Sequence, residues 1–342
     1  MLFRSDMAKR IKKESSARIL IGGIHASIEP EKVLAQNCFD YLCIGEGEKA
    51  IVELCRFLDN KSNCIKGIKN LWMKEGIGRQ YKISDFKLRP KIIKNSLAEP
   101  VNLDSLAFPD KELFYKKMPI SKEGYLIATS RGCPNACSYC YTSYFNKIYN
   151  NRYFRRRSVE NVIRELVLAK KRYDFRYVHF VDDIFTSDSE WLKEFLKRYG
   201  KRVKMPFFCL AHPEFLDMEM IKKMKHAGCF KIQVGVQTLN NEINTIILHR
   251  KLNRKKLSEV ILEARKQGIY VTTDIILGIP NQKAKDYYDI AEFFNEYTPN
   301  RIEPFWLRYY PKTAITSILG IKHNSRPTYR GIAVGGQTYS KD

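Results

Sequence analysis

The chain has no apolar run approaching the roughly 18 residues needed to cross a bilayer, and its start, Met1-Leu2-Phe3-Arg4-Ser5-Asp6, lacks the apolar core of a signal peptide. A cytoplasmic protein is the expectation. Neither a Gly-x-x-x-x-Gly-Lys phosphate loop nor a Ser-His-Asp arrangement stands out, so nucleotidase and hydrolase readings have little support. Histidine is scarce, with six in 342 residues. Acidic residues are outnumbered, 37 against 60 basic ones, for a formal charge of +23. Such a balance suits an acidic substrate or nucleic acid. The lysines, however, are spread over nearly every predicted helix, as solvated faces are, so nucleic acid is a disfavoured but not excluded partner.

What the chain does have is enough length and apolar content, 44% hydrophobic, for one large domain and a smaller one. It also has nine cysteines. An odd count without a secretory signal argues for free thiols rather than disulfides. Three of them fall within Cys133-Pro134-Asn135-Ala136-Cys137-Ser138-Tyr139-Cys140, with no histidine close in sequence. A closed zinc site would need Cys209, Cys229 or a distant histidine as its fourth ligand. Soft thiolates at this spacing suit an iron–sulfur cluster, and a 4Fe-4S cube held by three cysteines keeps one iron open. That reading requires the three sulfurs to stay together and no fourth side chain to fill the gap.

Cys133, Cys137, Tyr139 and Cys140 resemble the C-x3-C-x-aromatic-C signature of the radical S-adenosylmethionine (SAM) enzymes. Arg131-Gly132-Cys133-Pro134 and Cys140-Tyr141 are similar to that family's cobalamin-binding branch. The resemblance implies that the open iron binds SAM and that cleavage of its sulfonium yields a 5′-deoxyadenosyl radical. It also implies an electron donor, such as a reductase, flavodoxin or ferredoxin, and a small-molecule or peptide substrate.

Taken in order, residues 1–14 place Phe3, Met7 and Ile11 on one face of a surface helix. A strand through Ile19, Leu20 and Ile21 ends in Gly22-Gly23, and a second, Tyr41 to Ile44, ends in Gly45-Glu46-Gly47-Glu48. Ile51, Leu54, Cys55 and Leu58 then mark one helical face. This is part of a Rossmann-like α/β sheet, whose ligands sit beyond the carboxyl ends of the strands. Gly22-Gly23-Ile24-His25 and Gly45-Glu46-Gly47 resemble the second half of the cobalamin-binding domain, which implies that Gly22, Gly23, Gly45, Glu46 and Gly47 face cobalamin. The earlier half, with its D-x-H-x-x-G cobalt loop, would precede residue 1, and His25 is not that ligand by motif position. Cys38, Cys43, Cys55 and Cys64 have no metal-knuckle spacing and read as core thiols.

Four segments are expected: a half cobalamin domain over 1–66, a hairpin and linker over 67–121, a barrel over 122–312 and an irregular tail over 313–342. In the barrel, strand and helix signals alternate six times with glycine stops at Gly228 and Gly268. Right-handed repeats of this kind give a parallel sheet with its site at the carboxyl ends, consistent with the family's partial (β/α)6 barrel. Asp182 and Asp183, after the second strand, are candidates for the methionine amino group or for orienting substrate. Gly235-Val236-Gln237 resembles the family's fourth-strand motif, implying that Gln237 reaches the ribose. Ile276 and Gly278 resemble part of G-x-I-x-G-x-x-E beside adenine, with Asp274 and Asn281 in place of its first glycine and its glutamate. Tyr139 is expected to contact adenine. Arg250 stays open between pairing the methionine carboxylate and lying exposed in a linker. No catalytic residue is assigned.

The expected activity is that of a radical SAM enzyme of the cobalamin type, a methyltransferase or a related C–H functionalising enzyme. Two alternatives remain open. One is an RNA methylthiotransferase-like enzyme, which needs an auxiliary cluster on three upstream cysteines. The other is a non-catalytic zinc or RNA-binding module.

Overall fold

The computed structural model describes residues 2–59, 65–75, 91–118 and 123–321. Cys64, the glycines at 76 and 78, and the tail beyond Ile321 lie outside them. The chain divides into two units, Met1–Val101 and Asn102–Asp342.

In the first unit, α1 (Leu2–Glu14) precedes β1 (Leu20–Ile21), α2 (Ile24–Ile28), α3 (Pro30–Leu34), β2 (Tyr41–Cys43), α4 (Glu48–Leu58), β3 (Leu71–Lys74) and β4 (Ile92–Lys94). Pro30 opens α3, where a missing N–H costs nothing. The sheet order is β1-β2-β3-β4, with β1 and β2 parallel and the later pairs antiparallel. Part of the segment read as hairpin and linker therefore continues this sheet. β3 pairs with β4, so that the first apolar run of the expected hairpin is matched to residues well beyond it. Two helical faces differ from expectation. On α1, Ser5 and Ala8 are buried while Met7 and Ile11 are exposed. On α4, Ala50 and Leu54 pack in the cluster with Tyr41, Leu71 and Met73, while Ile51, Cys55 and Leu58 face solvent. The small Ala50 allows close approach to the sheet, and that choice rotates its neighbours outward.

The second unit carries α5 (Glu112–Lys117) and then six parallel strands, β5 (Gly124–Ile127), β8 (Tyr177–Phe180), β9 (Phe207–Ala211), β10 (Cys229–Gln237), β11 (Tyr270–Leu277) and β12 (Arg301–Trp306), paired in that order. A short ribbon of β6 (Ser130–Arg131) and β7 (Arg155–Arg156) follows β5. The helices α6 (Tyr141–Ile148), α7 (Val159–Arg172), α8 (Ser189–Arg202), α9 (Met218–His226), α10 (Arg254–Lys266) and α11 (Ala284–Glu296) intervene. This is the expected α/β architecture of a six-stranded parallel barrel-like sheet. Side-chain caps start the helices where short polar residues precede apolar runs: Ser158 for α7, Asp188 for α8, Asp217 for α9 and Asn253 for α10. Inward residues of alternating strand positions, such as Val178, Phe180, Ile232 and Val234, meet Val162, Ile163, Leu166, Leu192 and Phe195 in one core. Each such side chain contributes about 1.5–3 kcal/mol by leaving water. β10 extends past the expected Val234, because a register shift between Gly235 and Gln237 bends it at the barrel mouth. The region read as an irregular tail opens with a short helix, α12 (Ala314–Ile318).

Candidate active site at the barrel mouth

Between β5 and α6 the chain makes a compact loop. Ser130 and Arg131 pair with Arg156 and Arg155, and Gly132 follows with φ +84°. A Cβ at Gly132 would stand 2.9 Å from the Tyr153 ring and 3.0 Å from the Phe154 Cα, so glycine is what lets the loop lie against this neighbour. Cys133 and Cys137 are buried, and the half-buried Cys140 caps α6. The Cys140 N–H donates to the Cys137 carbonyl at 3.1 Å, and the Asn146 amide to the Cys133 carbonyl at 3.0 Å. Ser138 anchors the loop from the other side. Its N–H donates to Leu248 O at 2.9 Å, its hydroxyl to Ile247 O, and its carbonyl accepts from the Ile315 N–H of α12.

Each thiol has its own donor. The Asn135 N–H serves Cys133, Thr142 serves Cys140 through both N–H and hydroxyl, and Arg250 Nη1 lies 3.8 Å from Cys137 Sγ. Burial pushes the Cys133 thiol up to about 12, with nearby Asp183, Cys137 and Cys140 adding to the rise. Cys140 is raised too, again chiefly by burial. The sulfurs are thus close enough to feel one another's charge. Among the described residues, however, no set of three or more His, Cys, Asp or Glu side chains converges on a single ion. Cys209 and Cys229, the cysteines considered as a fourth zinc ligand, lie in the barrel core and hydrogen-bond to one another. Two buried thiols and a half-buried one, with separate donors and no fourth ligand among the described residues, fit a multi-atom iron–sulfur cluster better than a zinc ion.

The other predicted residues separate into two groups. Tyr139, Gln237 and Ile276 line one cavity of about 490 Å³, together with Asp274, Trp306, Arg308 and Tyr310. Gly235 and Gly278 flank it: the Gly235 carbonyl accepts from Arg250 Nη2 at 2.6 Å, and Gly278, at φ +73°, packs on the Trp306 ring. Burial pushes the Asp274 carboxyl up to about 6, aided by Glu303 and opposed by the Gln233 amide, 2.9 Å away. Asp182 differs from the expectation. It is 2% exposed, and its carboxylate accepts from the Thr129 N–H at 3.1 Å, the Thr129 hydroxyl at 2.7 Å and the Ser130 hydroxyl. Its oxygens are used in fixing the strand end that leads into the cysteine loop. Asp183 keeps an open face beside that loop, with the Thr142 hydroxyl at 3.2 Å, and surrounding protein raises its carboxyl.

Gly22, Gly23, Gly45, Glu46 and Gly47 belong to the first unit and follow β1 and β2. Ser27, which carried no motif signal, ties the two turns: its hydroxyl donates to Gly23 O and accepts from the Gly45 N–H, both at 2.9 Å. The Glu46 carboxylate accepts from the Val101 N–H at 3.0 Å and its carbonyl from the Asn70 amide at 2.7 Å, so its side chain serves the turn. Cys38 and Cys43 lie in different core clusters and Cys55 is exposed, so the described upstream cysteines do not gather around an auxiliary cluster.

A parallel barrel whose first strand leads into a loop of three cysteines has the layout of the Radical SAM enzymes. Residues 127–294 match the Radical SAM superfamily. The second unit thus carries a Radical SAM domain over these residues. The chain is 25% identical over 297 residues to an uncharacterized methyltransferase of Pyrococcus horikoshii, covering 84% of this chain and 60% of that protein. It is also 25% identical over 288 residues to the cytidylyl-2-hydroxyethylphosphonate methyltransferase of Streptomyces wedmorensis, covering 76% and 52%. The fold is similar to that of the radical SAM methyltransferase TsrM from Kitasatospora setae, solved with cobalamin and a [4Fe-4S] cluster bound. The TM-score is 0.72 at 16% identity, over 91% of this chain and 61% of that one. The chain spans about half to three fifths of these relatives' lengths.

Proposed function

We propose that Cys133, Cys137 and Cys140 hold a 4Fe-4S cluster, that SAM occupies the adjoining cavity, and that the chain works as a cobalamin-type radical SAM methyltransferase. The observation that carries this reading is the three-thiol loop, each sulfur with its own donor and none closed by a fourth ligand among the described residues. When bound, the cluster supplies the electron that splits the sulfonium of SAM, and cobalamin supplies a carrier for the methyl group. The chain's own residues bind and orient. Tyr139 and Ile276 offer the cavity a flat apolar wall for adenine, and Gln237 offers an amide for the ribose. Gly235, having no side chain, leaves its carbonyl open to Arg250. The glycine turns after β1 and β2 are the candidate cobalamin contacts, held in shape by Ser27 and Glu46. The proposal includes an electron-donor protein and a small-molecule or peptide substrate.

Anaerobic reconstitution tests this. About four irons and four sulfides per chain are expected, lost when the three cysteines are changed to alanine. With dithionite and SAM, 5′-deoxyadenosine or S-adenosylhomocysteine should form, and added hydroxocobalamin should be retained on gel filtration. A colourless protein holding zinc without labile sulfide would overturn the reading. Methylthio transfer gains nothing from the described upstream cysteines, Cys38, Cys43 and Cys55, which do not gather.

A further inference from the structure

Arg250 is 8% exposed, although it follows the left-handed His249 (φ +51°) in what reads as a polar linker. Its backbone N–H donates to Asn244 O at 2.8 Å, at the end of a short π-helical turn, Ile243–Ile247. Asn244 in turn donates through its amide to Thr238 O at 2.8 Å. The same segment is fastened to the cysteine loop, because Leu248 O and Ile247 O accept from Ser138, the residue after Cys137. The guanidinium is therefore held against the loop from both ends. Its Nη2 reaches Gly235 O at 2.6 Å and its Nη1 reaches Cys137 Sγ at 3.8 Å. A side chain at Gly235 would place a Cβ only 3.3 Å from Nη2.

What this guanidinium lacks is a contact ion pair, although the Asp274 carboxylate feels its charge. Among the described residues its partners are the Gly235 carbonyl and Cys137 Sγ, and its buried Nε has no acceptor. An uncompensated buried charge costs several kcal/mol, so proteins retain one where a counter-charge arrives. The field already acts on its surroundings, adding to the burial that depresses His212 and countering the burial that raises Tyr139.

We propose that Arg250 is a positioning residue for the cluster, the built-in counter-charge that acts through Cys137 Sγ and raises the cluster's reduction potential. This rests on the preceding assignment of the three cysteines. Three thiolates around an iron–sulfur core bring net negative charge to the loop, and reduction adds one more. A fixed cation touching one sulfur favours the reduced state over the oxidised one. Its hydrogen bond to a charged sulfur is also of the stronger kind. Lysine would keep the charge but lose the fork that reaches Gly235 and Cys137 together.

The test is an EPR-monitored potentiometric titration of the full chain after anaerobic reconstitution, without SAM and then with it. Arg250→Met and Arg250→Gln should shift the midpoint to more negative values, and Arg250→Lys should recover part of the shift. Thermal melts check that the variants fold. If both uncharged variants fail to retain a cluster that Arg250→Lys retains, the counter-charge role is likewise supported. A midpoint unchanged in a fully loaded uncharged variant overturns the proposal. So does a shift that appears only once SAM is added, which would assign Arg250 to the carboxylate of SAM. Failure of the unsubstituted protein to take up a cluster would instead sink the cysteine assignment itself.

Discussion

Substituting alanine at Gly132 probes the cysteine loop at its tightest point. The residue has φ +84°, where a Cβ costs about 1–2 kcal/mol by itself. The added methyl would also lie 2.9 Å from Tyr153 Cδ1, 3.0 Å from Phe154 Cα and 3.1 Å from Phe154 N. Two of those atoms are backbone. The third belongs to a ring stacked on Phe145 and Tyr149 at 5.1 and 5.3 Å, so it has little room to swing aside. Relief must come from opening the ladder in which Ser130 and Arg131 pair with Arg156 and Arg155. Adding roughly 1–2 kcal/mol for that overpacking gives a loss of about 2–4 kcal/mol, concentrated one residue before Cys133. Urea unfolding should show a lower midpoint, and reconstituted Gly132→Ala should hold less iron than the unsubstituted chain. Gly320→Ala is the control. That glycine also has positive φ, +62°, but nothing lies within 4 Å of where a methyl there would stand, so only the backbone strain of about 1 kcal/mol should be felt and iron content should not change. If Gly132→Ala matches the unsubstituted chain in both midpoint and iron, the close packing described for this loop is wrong.

Further expectations concern the scaffold of the barrel. Asp182→Asn replaces a carboxylate that accepts from Thr129 and Ser130 with an amide that turns N–H groups toward donors, which should cost about 2–4 kcal/mol in urea unfolding; a loss below about 0.5 kcal/mol, by the same reasoning, would return Asp182 to the ligand-binding roles. His212 is 2% exposed, and burial, then Arg250 and Lys256, push its pKa down to about 3. The unfolded chain takes up this proton near its ordinary 6.5 while the folded chain does not, so stability is kept above that value and falls as pH drops from 6.5 toward 3. The slope is about 1.4 kcal/mol per pH unit. His212→Asn keeps an acceptor for the Glu214 N–H and should flatten this part of the urea-midpoint profile; an unchanged slope would assign the acid sensitivity to other groups. Gly200, inside α8, has no positive φ, and a Cβ there would meet only the Ala227 Cα at 3.9 Å. Gly200→Ala should therefore stabilise the chain by roughly 0.5–1 kcal/mol, read as a raised melting temperature, and a lowered one would show that the helix packs more tightly there than described.

What could be read in the sequence was local. The barrel strands announce themselves as short apolar runs, and the helices between them through caps such as Ser158 and stops such as Gly228 and Gly268. The cysteine triplet is equally legible, since its spacing is its signal. The buried faces of α1 and α4 are not, because an amphipathic stripe does not say which of two neighbouring stripes turns inward. On α4 the decision falls to Ala50, whose small size carries no signal in an apolar pattern.

The site's second layer was illegible for a different reason. Asp182 resembles any polar residue at a strand end until its acceptor oxygens are seen to be taken by groups 52 and 53 residues earlier in the chain. Arg250 meets Cys137 across 113 residues of sequence, by way of a π-helical turn and a left-handed histidine that no periodicity forecasts. Both are side chains whose charge has meaning only against a partner supplied by the fold. They part company in what that partner is. Asp182 finds all its donors within the protein, which makes it architecture, whereas Arg250 touches a sulfur and a carbonyl and feels Asp274 only at a distance. The missing contact ion pair is the more telling of the two observations, because a buried cation without a touching counter-charge is costly and gains most from a negative charge placed against it.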